Sequence, residues 1–449
     1  MPRIRMNSHI FILLLVCAGF TYSKVHHISP SPRISCPQEE SCLTLSQFAT
    51  NTSSYHVNET SISLLFLPGN HSLDRELSLT YANNFSLTKD IQDNETVFIE
   101  CTSQSGRFDI NETTFASIKG LHFIGCGGNT VTQVDRFMLE DTIFQGVEGR
   151  GTALVLNVVS NASIVRSAFL SNTDGTISEH YLHFNASLID RYYFESADLT
   201  YGGALYTAFS NVMIVDTNFK MNRAQVGAAI GVLDGNISIS NSQFVNNTAM
   251  SNLFGGLSYG VILLFESKAS IVNSQFTHNT AMFGGVLAAL NSSIHVARST
   301  YSYNKAERGG GVMSTTESSF SITNSTFTNN SAAINGGVMS TSESSFNITN
   351  STFTNNSADG VGGVLSTTES SFNITNSTFT NNSAAIDGGV MSTSESSFNI
   401  TNSTFTNNSA DGVGGVMSTT ESSFNKDSVV DMTPPVSYTH LTLPTNREV

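Results

Sequence analysis

Three kinds of residue in this sequence are spaced so that they could do chemistry. The first is asparagine followed at the second position by Ser or Thr, the acceptor for N-linked glycan. Asn324, Asn350, Asn376 and Asn402 head Asn-Ser-Thr at steps of 26 residues, Asn347 heads Asn-Ile-Thr, and Asn58, Asn94, Asn111, Asn161 and Asn236 are further acceptors. In a eukaryotic secretory route such sites carry sugar. Asn, Ser and Thr are also what tight turns consume, so both readings stand at this point. The second is a column of carboxylates, Glu317, Glu343, Glu369, Glu395 and Glu421, again one every 26 residues. If these lie one above another at the ~4.8 Å spacing of neighbouring strands, each pair repels by just under about 1 kcal/mol in water. Weak Ca2+ binding along Glu317, Glu343, Glu369 and Glu395 would relieve that repulsion; a solvated acidic surface is the alternative.

The third is acid–base chemistry, and here the pattern is poor. Hydrolysis or elimination on a polysaccharide needs Asp or Glu clustered with Arg or Lys. From Gly309 to Asn425 there is no Lys, Arg or His at all. The more varied stretch before it offers Asp190, Arg191, Asp198 and Asp216, but their spacing selects no common face. No nucleophile elbow, phosphate loop or chelating His pair is present. No catalytic residue and no metal ligand is therefore assigned, and a lyase or hydrolase with its site within 174–216 is kept as the second reading.

What must position these residues is a repeat. Val312, Val338, Val364, Val390 and Val416 share one register at 26-residue steps, as do Phe327, Phe353, Phe379 and Phe405. Periods of this length mark stacked units that cannot bury an apolar face alone. The composition, rich in Ser, Thr, Asn, Gly, Phe, Ile and Val, disfavours helix and suits strands and turns. Phe346-Asn347-Ile348-Thr349 alternates apolar and polar, as a half-buried strand does. Three strands and three turns would fill the unit as one coil of a parallel β-helix. The Phe register steps backwards through Tyr301, Phe276, Phe244, Phe219, Phe194, Phe169 and Phe144, with one long step implying a loop near Ser251–Leu257. An aliphatic column, Leu139, Ile164, Ile189, Ile214, Ile239 and onward, runs five residues ahead of it. A third column follows the glycines: Ala204, Ala229, Val261, Val286, Val312. About eleven coils at ~4.8 Å would make a rod on the order of 50 Å long. Asn follows most of the aromatics by three residues, where it would take a left-handed corner and bond its neighbours above and below, or serve simply as a turn residue.

Gly202-Gly203-Ala204, Gly336-Gly337-Val338 and the Phe-x-x-Asn motifs, alternating in fixed register from about Gly202 to Asn408, resemble the repeats of the polymorphic outer-membrane proteins. These lie within the wider group of right-handed, pectin-lyase-like β-helix proteins. The resemblance implies an all-β, single-stranded right-handed parallel β-helix of about 25–26 residues per coil, displayed at a surface, with adhesion as its role.

Composition bounds the rest. The 449 residues carry a net charge of −15 with only 12 % charged residues, which argues against a nucleic-acid partner. Cell-surface or matrix glycans or proteins are the expected partners. Arg3 and Arg5 before the apolar run Ile10–Val16 read as a secretory signal over 1–23, too short for a membrane span, which places the protein outside the cell or on its surface. Cys17 falls in that signal, leaving an even four. Cys101 and Cys126 are one coil apart, within disulfide reach, and Cys36–Cys42 would close a small loop. The expected organisation is a cap with irregular coils over 24–115, regular coils over 116–425 (near-identical from 309), and a tail over 426–449 of disordered or non-native character. Leu43, Leu45 and Phe48 would form a helix or strand capping the first coil.

Overall fold

In the near-identical coils the backbone is a closed circuit of four short strands, and the four corners explain how it closes. In the computed structural model these strands are Met313–Thr316, Ser319–Thr323, Thr326–Thr328 and Ser331–Ala332. Between them Glu317, Asn324 and Asn329 take φ of 49°, 50° and 55°, and Gly336, at 62°, begins the next circuit. The coil therefore has four sides, not three. The sides that carry the Val312, Ile322 and Phe327 columns are the three expected ones, and the two-residue strand Ser331–Ala332, too short to show a period, is the fourth; the chain bends between the first two at a glutamate, an unusual left-handed residue. The structure describes residues 23–29, 43–51, 61–80, 83–89, 96–103, 105–148, 151–173, 202–250, 258–424 and 430–433.

Each strand pairs in parallel with its copy one coil on. Phe327 pairs with Phe353 and Phe353 with Phe379, without slippage. The fold is thus an all-β parallel solenoid, with one short helix, Leu45–Asn51, among the described residues. That helix begins with a reciprocal cap: the Gln47 N–H donates to Thr44 Oγ1 (3.2 Å) and the Thr44 N–H to Gln47 Oε1 (3.0 Å). It packs Leu45, Phe48 and Ala49 into the core.

The core is a bundle of lengthwise columns. The rings of Phe327, Phe353, Phe379 and Phe405 lie 4.8 Å apart, within 4° of parallel. Burying each phenylalanine contributes roughly 1.5–3 kcal/mol, so the column supplies what one coil lacks. Phe320, Phe346, Phe372 and Phe398 form a second stack. The first runs back through Tyr301, Phe276, Phe244 and Phe219 to Phe169, Phe144 and Phe123. One expected step is corrected here. Phe169 pairs directly with Phe219, and Ile164 with Ile214. The chain between Thr173 and Gly202 is therefore an insertion rather than a coil, and Phe194 and Ile189, which lie outside the described residues, are not members of the columns. Their spacing matched a coil by coincidence.

Polar groups inside the core are paired just as regularly. The Asn356 side-chain amide donates to Asn382 Oδ1 (3.0 Å) and to the Phe327 carbonyl (3.0 Å), and its Oδ1 accepts from the Asn330 side chain (3.0 Å). The same pattern joins Asn172 through Asn408. The corner residue with positive φ is the one before it, Asn329 or Asn355, so the two asparagines divide the work. Ser344 and Ser351 act likewise after their corners: Ser344 Oγ donates to the Ser342 carbonyl (2.7 Å) and accepts the Ser318 N–H (3.2 Å). At the fourth corner a Cβ on Gly337 would stand 2.2 Å from the Gly363 carbonyl oxygen, so only glycine fits. Near the start, Cys101 and Cys126 are disulfide-bonded with Cα atoms 5.0 Å apart. Cys36 and Cys42 lie outside the described residues.

Two predictions follow from defects in this regularity. Tyr301 stands in the phenylalanine stack with its hydroxyl buried and unpartnered. Tyr301→Phe is expected to raise stability by on the order of 1 kcal/mol, read as a higher denaturation midpoint. His71 is buried in an early coil, edge-on to Phe66, with Nε2 bonded to the Leu67 carbonyl (2.7 Å) and Nδ1 unpartnered. Burial lowers its pKa, only partly opposed by the Leu67 bond. The unfolded chain therefore binds the proton more readily, so stability is full above the ordinary histidine value of about 6.5 and falls as pH drops below it. Melting temperature should decline between pH 7 and 5, and His71→Phe should flatten that decline.

Candidate functional site

Because each coil repeats its neighbour's register, an outward side chain becomes part of a stripe along the rod. Two such stripes border long troughs on either side of a shared ridge, Lys268, Ser293, Ser319 and Ser345. One trough, of 1220 Å3, is acidic: Glu266, Glu317, Glu343, Glu369, Glu395 and Glu421 line it. These glutamates, from Glu317 onward, are the left-handed corner residues, with φ of 48–49°. Their carboxylates point outward while the following serine is turned inward. Among the described residues no three His, Cys, Asp or Glu side chains gather closely enough to hold a metal ion.

The other trough, of 870 Å3, has the opposite character. It lies over the outer face of strands such as Asn211–Val215, Asn236–Ser240, Lys268–Val272 and Ser293–Ala297. In these strands alternate residues face in, Val212 and Ile214 for example, leaving Asn211 and Met213 outside. The trough runs over eight coils, from Arg136 to Ser345, about 34 Å at ~4.8 Å per coil. Arg136, Lys268 and His295 line it with amides, hydroxyls and the apolar side chains of Met138 and Met213, and none of its described lining residues is Asp or Glu. In a chain of net charge −15 that exclusion is informative. Arg136 and Lys268 have no ion-pair partner among the described residues. The amides are ordered: Asn236 Nδ2 donates to Asn211 Oδ1 (2.6 Å), and Asn211 Nδ2 to the Ser160 carbonyl (2.9 Å). His295 Nδ1 pairs with the Ser321 hydroxyl (2.8 Å).

The sequence-derived sites fall unevenly on this frame. Asn161, Asn236, Asn324, Asn347, Asn350, Asn376 and Asn402 are exposed. Asn324, Asn350, Asn376 and Asn402 are left-handed corners, whereas Asn161 and Asn236 face the cationic trough. Asn111 is half-buried, its Oδ1 enclosed without a partner. Asn58 and Asn94 lie outside the described residues. So do Asp190, Arg191 and Asp198; Asp216 is an exposed left-handed corner ahead of buried Thr217. The structure thus assembles no acid–base site from the described part of 174–216.

One cluster went unread in the sequence. Arg107 binds Glu76 through Nε (2.9 Å) and Nη2 (2.6 Å) from the next coil, and Asp109, two residues on, accepts a bond from the Thr130 hydroxyl. Burial pushes the Asp109 carboxyl up; the Thr130 bond opposes this, Glu76 adds to it, and Arg107 opposes it. Glu76 and Arg107 are 31 residues apart in irregular coils, so no fixed period pointed to the pair.

Comparison with known proteins supports the architecture. Residues 259–429 match the family described as right-handed β-helix region. No curated protein matches the chain. Among solved structures, the catalytic domain of a GH87 α-1,3-glucanase in complex with nigerose is similar at 11 % identity and a TM-score of 0.45, over 90 % of this chain and 68 % of that one. PfbA, a surface adhesin of Streptococcus pneumoniae, is similar at 11 % identity and 0.39, over 81 % and 85 %. Tailspike protein 3 of bacteriophage CBA120 is similar at 10 % identity and 0.37, over 86 % and 58 %. Likenesses this remote assign no activity. No described helix is long and apolar enough to cross a membrane.

The glutamates of this column hold left-handed corners one coil apart and face outward. Titrating the protein with calcium is expected to leave its melting temperature unmoved; a saturable rise, lost in Glu343→Gln, would assign cations to that column.

Proposed function

We propose that this chain is a secreted or surface-displayed rod, of the polymorphic outer-membrane-protein repeat type, that works by adhesion to extended acidic glycans. The observation that carries this reading is the 870 Å3 trough, where amides, hydroxyls and three cationic or titratable side chains line eight coils and carboxylates are excluded. A sugar polymer presents hydroxyls and, when acidic, carboxylates at regular intervals along a strand. Aligned amides bond the hydroxyls, while Arg136 and Lys268 attract the charge. Each contact is weak and exposed, so affinity comes from several made at once along one rod. The regular coils beyond the trough extend the rod and set its reach.

A catalytic reading has one arrangement in its favour, the half-buried Asp109 bonded to the Thr130 hydroxyl close to the Glu76–Arg107 pair, its carboxyl pushed up by burial. A carboxyl shifted by burial toward its acid form is the kind of group a general acid on a glycan requires, in a lyase or hydrolase of the pectin-lyase-like fold. Glu76 is held by Arg107 rather than aimed at a second position across a cleft. Adhesion is the better supported of the two.

Both are tested together on immobilised polygalacturonate, with a neutral glucan as control. Adhesion predicts retention on the acidic polymer that weakens as salt rises, falls about tenfold in the pair Arg136→Glu, Lys268→Glu, and leaves the polymer intact. Chain cleavage abolished by Asp109→Asn would move the assignment to an enzyme.

A further inference from the structure

The cationic trough and the glycan acceptors are not separate features. Asn161, Asn236 and Asn347 all line the trough, and each heads a complete acceptor triplet: Asn161-Ala162-Ser163, Asn236-Ile237-Ser238 and Asn347-Ile348-Thr349. Asn211, in the same column as Asn161 and Asn236, is followed by Val212 and Met213 and is no acceptor. We infer that N-glycosylation of Asn161, Asn236 and Asn347 closes this trough, so that glycan occupancy decides whether the rod can hold an acidic polysaccharide there. The inference rests on the adhesive reading above and names its regulation.

The local geometry admits the modification. All three side chains are exposed. Glycan attachment replaces one hydrogen of the side-chain nitrogen and leaves the other. Asn236 uses one Nδ2 hydrogen on Asn211 Oδ1, so the second is the one replaced and the amide ladder survives. Asn347 uses its oxygen, accepting from Asn373 Nδ2 at 2.9 Å, and keeps its own nitrogen for sugar. The fold can therefore carry all three glycans with its described hydrogen bonds intact.

The consequence for the trough is steric. Asn161 and Asn236 are two coils apart and Asn347 is four coils beyond Asn236, about 10 Å and 19 Å at ~4.8 Å per coil. Glycan is bulky and solvated. A branched chain rooted at any of these points covers more than the coil that bears it. Rooted at all three, glycan leaves only the coil of His295 more than one step from a sugar-bearing coil, too short a run for multivalent contact with a polymer. Nearby Asn373 and Asn399 extend the acceptor column into the next coils, so the sugar-bearing face continues without a gap from the end of the trough.

The test uses the full chain made in two hosts. From a glycosylating eukaryotic secretory host, peptide mapping should find sugar at Asn161, Asn236 and Asn347, and the protein should bind polygalacturonate at least about tenfold more weakly than bacterially produced protein. The triple variant Asn161→Gln, Asn236→Gln, Asn347→Gln from the same eukaryotic host, still glycosylated elsewhere, should recover binding. A control variant, Asn324→Gln, Asn376→Gln, Asn402→Gln, removes as many glycans from the corners and should not. Bare acceptors at the trough positions in a protein glycosylated elsewhere overturn the inference, as does equal binding by the glycosylated protein and the triple variant. If the bacterial protein fails to bind polygalacturonate at all, the adhesive reading fails and takes the gate with it. Binding by the bacterial protein with no effect of glycan overturns the gate alone.

Discussion

Everything in this rod depends on the chain returning above itself, coil after coil, with each strand in the same pairing register as the last. Because side chains alternate between faces, a slip of one residue would turn a column of phenylalanines outward. The register is held at two levels. Aromatic and aliphatic columns reward alignment through stacking, Phe353 over Phe327 being the pattern. Buried amides and hydroxyls make misalignment costly, since a slip would leave Asn356 or Ser344 enclosed without its partner above and below. Left-handed corner residues let the turn be made in a single step, and the inward polar residue after each corner ties that step to the next coil.

That arrangement determines what kind of functional surface the molecule can have. A side chain at one outward position has its counterpart next door about 4.8 Å away, so charge and hydrogen-bonding capacity are laid down as stripes rather than points. The two troughs beside the Lys268–Ser345 ridge are the result: one bordered by corner glutamates, the other by strand-borne amides and cations. A globular site gathers unlike residues around a centre. Here, opposite chemistries are kept on neighbouring stripes, which suits a long ligand lying along the axis better than a small one.

Most of the architecture was legible because it is periodic. The columns through Val312 and Phe327, the Cys101–Cys126 span and the long step from Phe244 to Phe276 all follow from counting residues, while the loop expected near Ser251–Leu257 lies outside the described residues. The errors have the same origin. Phe194 and Ile189 sit at coil-like spacing inside an insertion, and counting cannot tell a coil from an insertion of equal length. The Glu317 corner was missed because propensity looks for Gly, Asn or Asp, and the diverged coils do hold Asp234 and Asn291 there. The trough was illegible for a deeper reason. Arg136, Lys268 and His295 fall at irregular sequence intervals, and only the pairing of strands across the two insertions puts them over one face.

The contrast between varied and near-identical coils fits a division of labour. In a one-dimensional stack each coil contacts its neighbours alone, so stability accrues coil by coil and copies can be added without redesign. The copied coils carry no Lys, Arg or His, and their outward strands present Ser, Thr and Asn. They lengthen the rod, and their charged side chains are all acidic: the glutamate corners with Asp359, Asp387 and Asp411. Among the described residues, cations, exposed methionine and the histidine that faces the trough all precede Gly309. A change there alters one coil's surface while the inward columns, which hold the register, stay as they are. Recognition can therefore vary in one half of the molecule without disturbing the extension provided by the other.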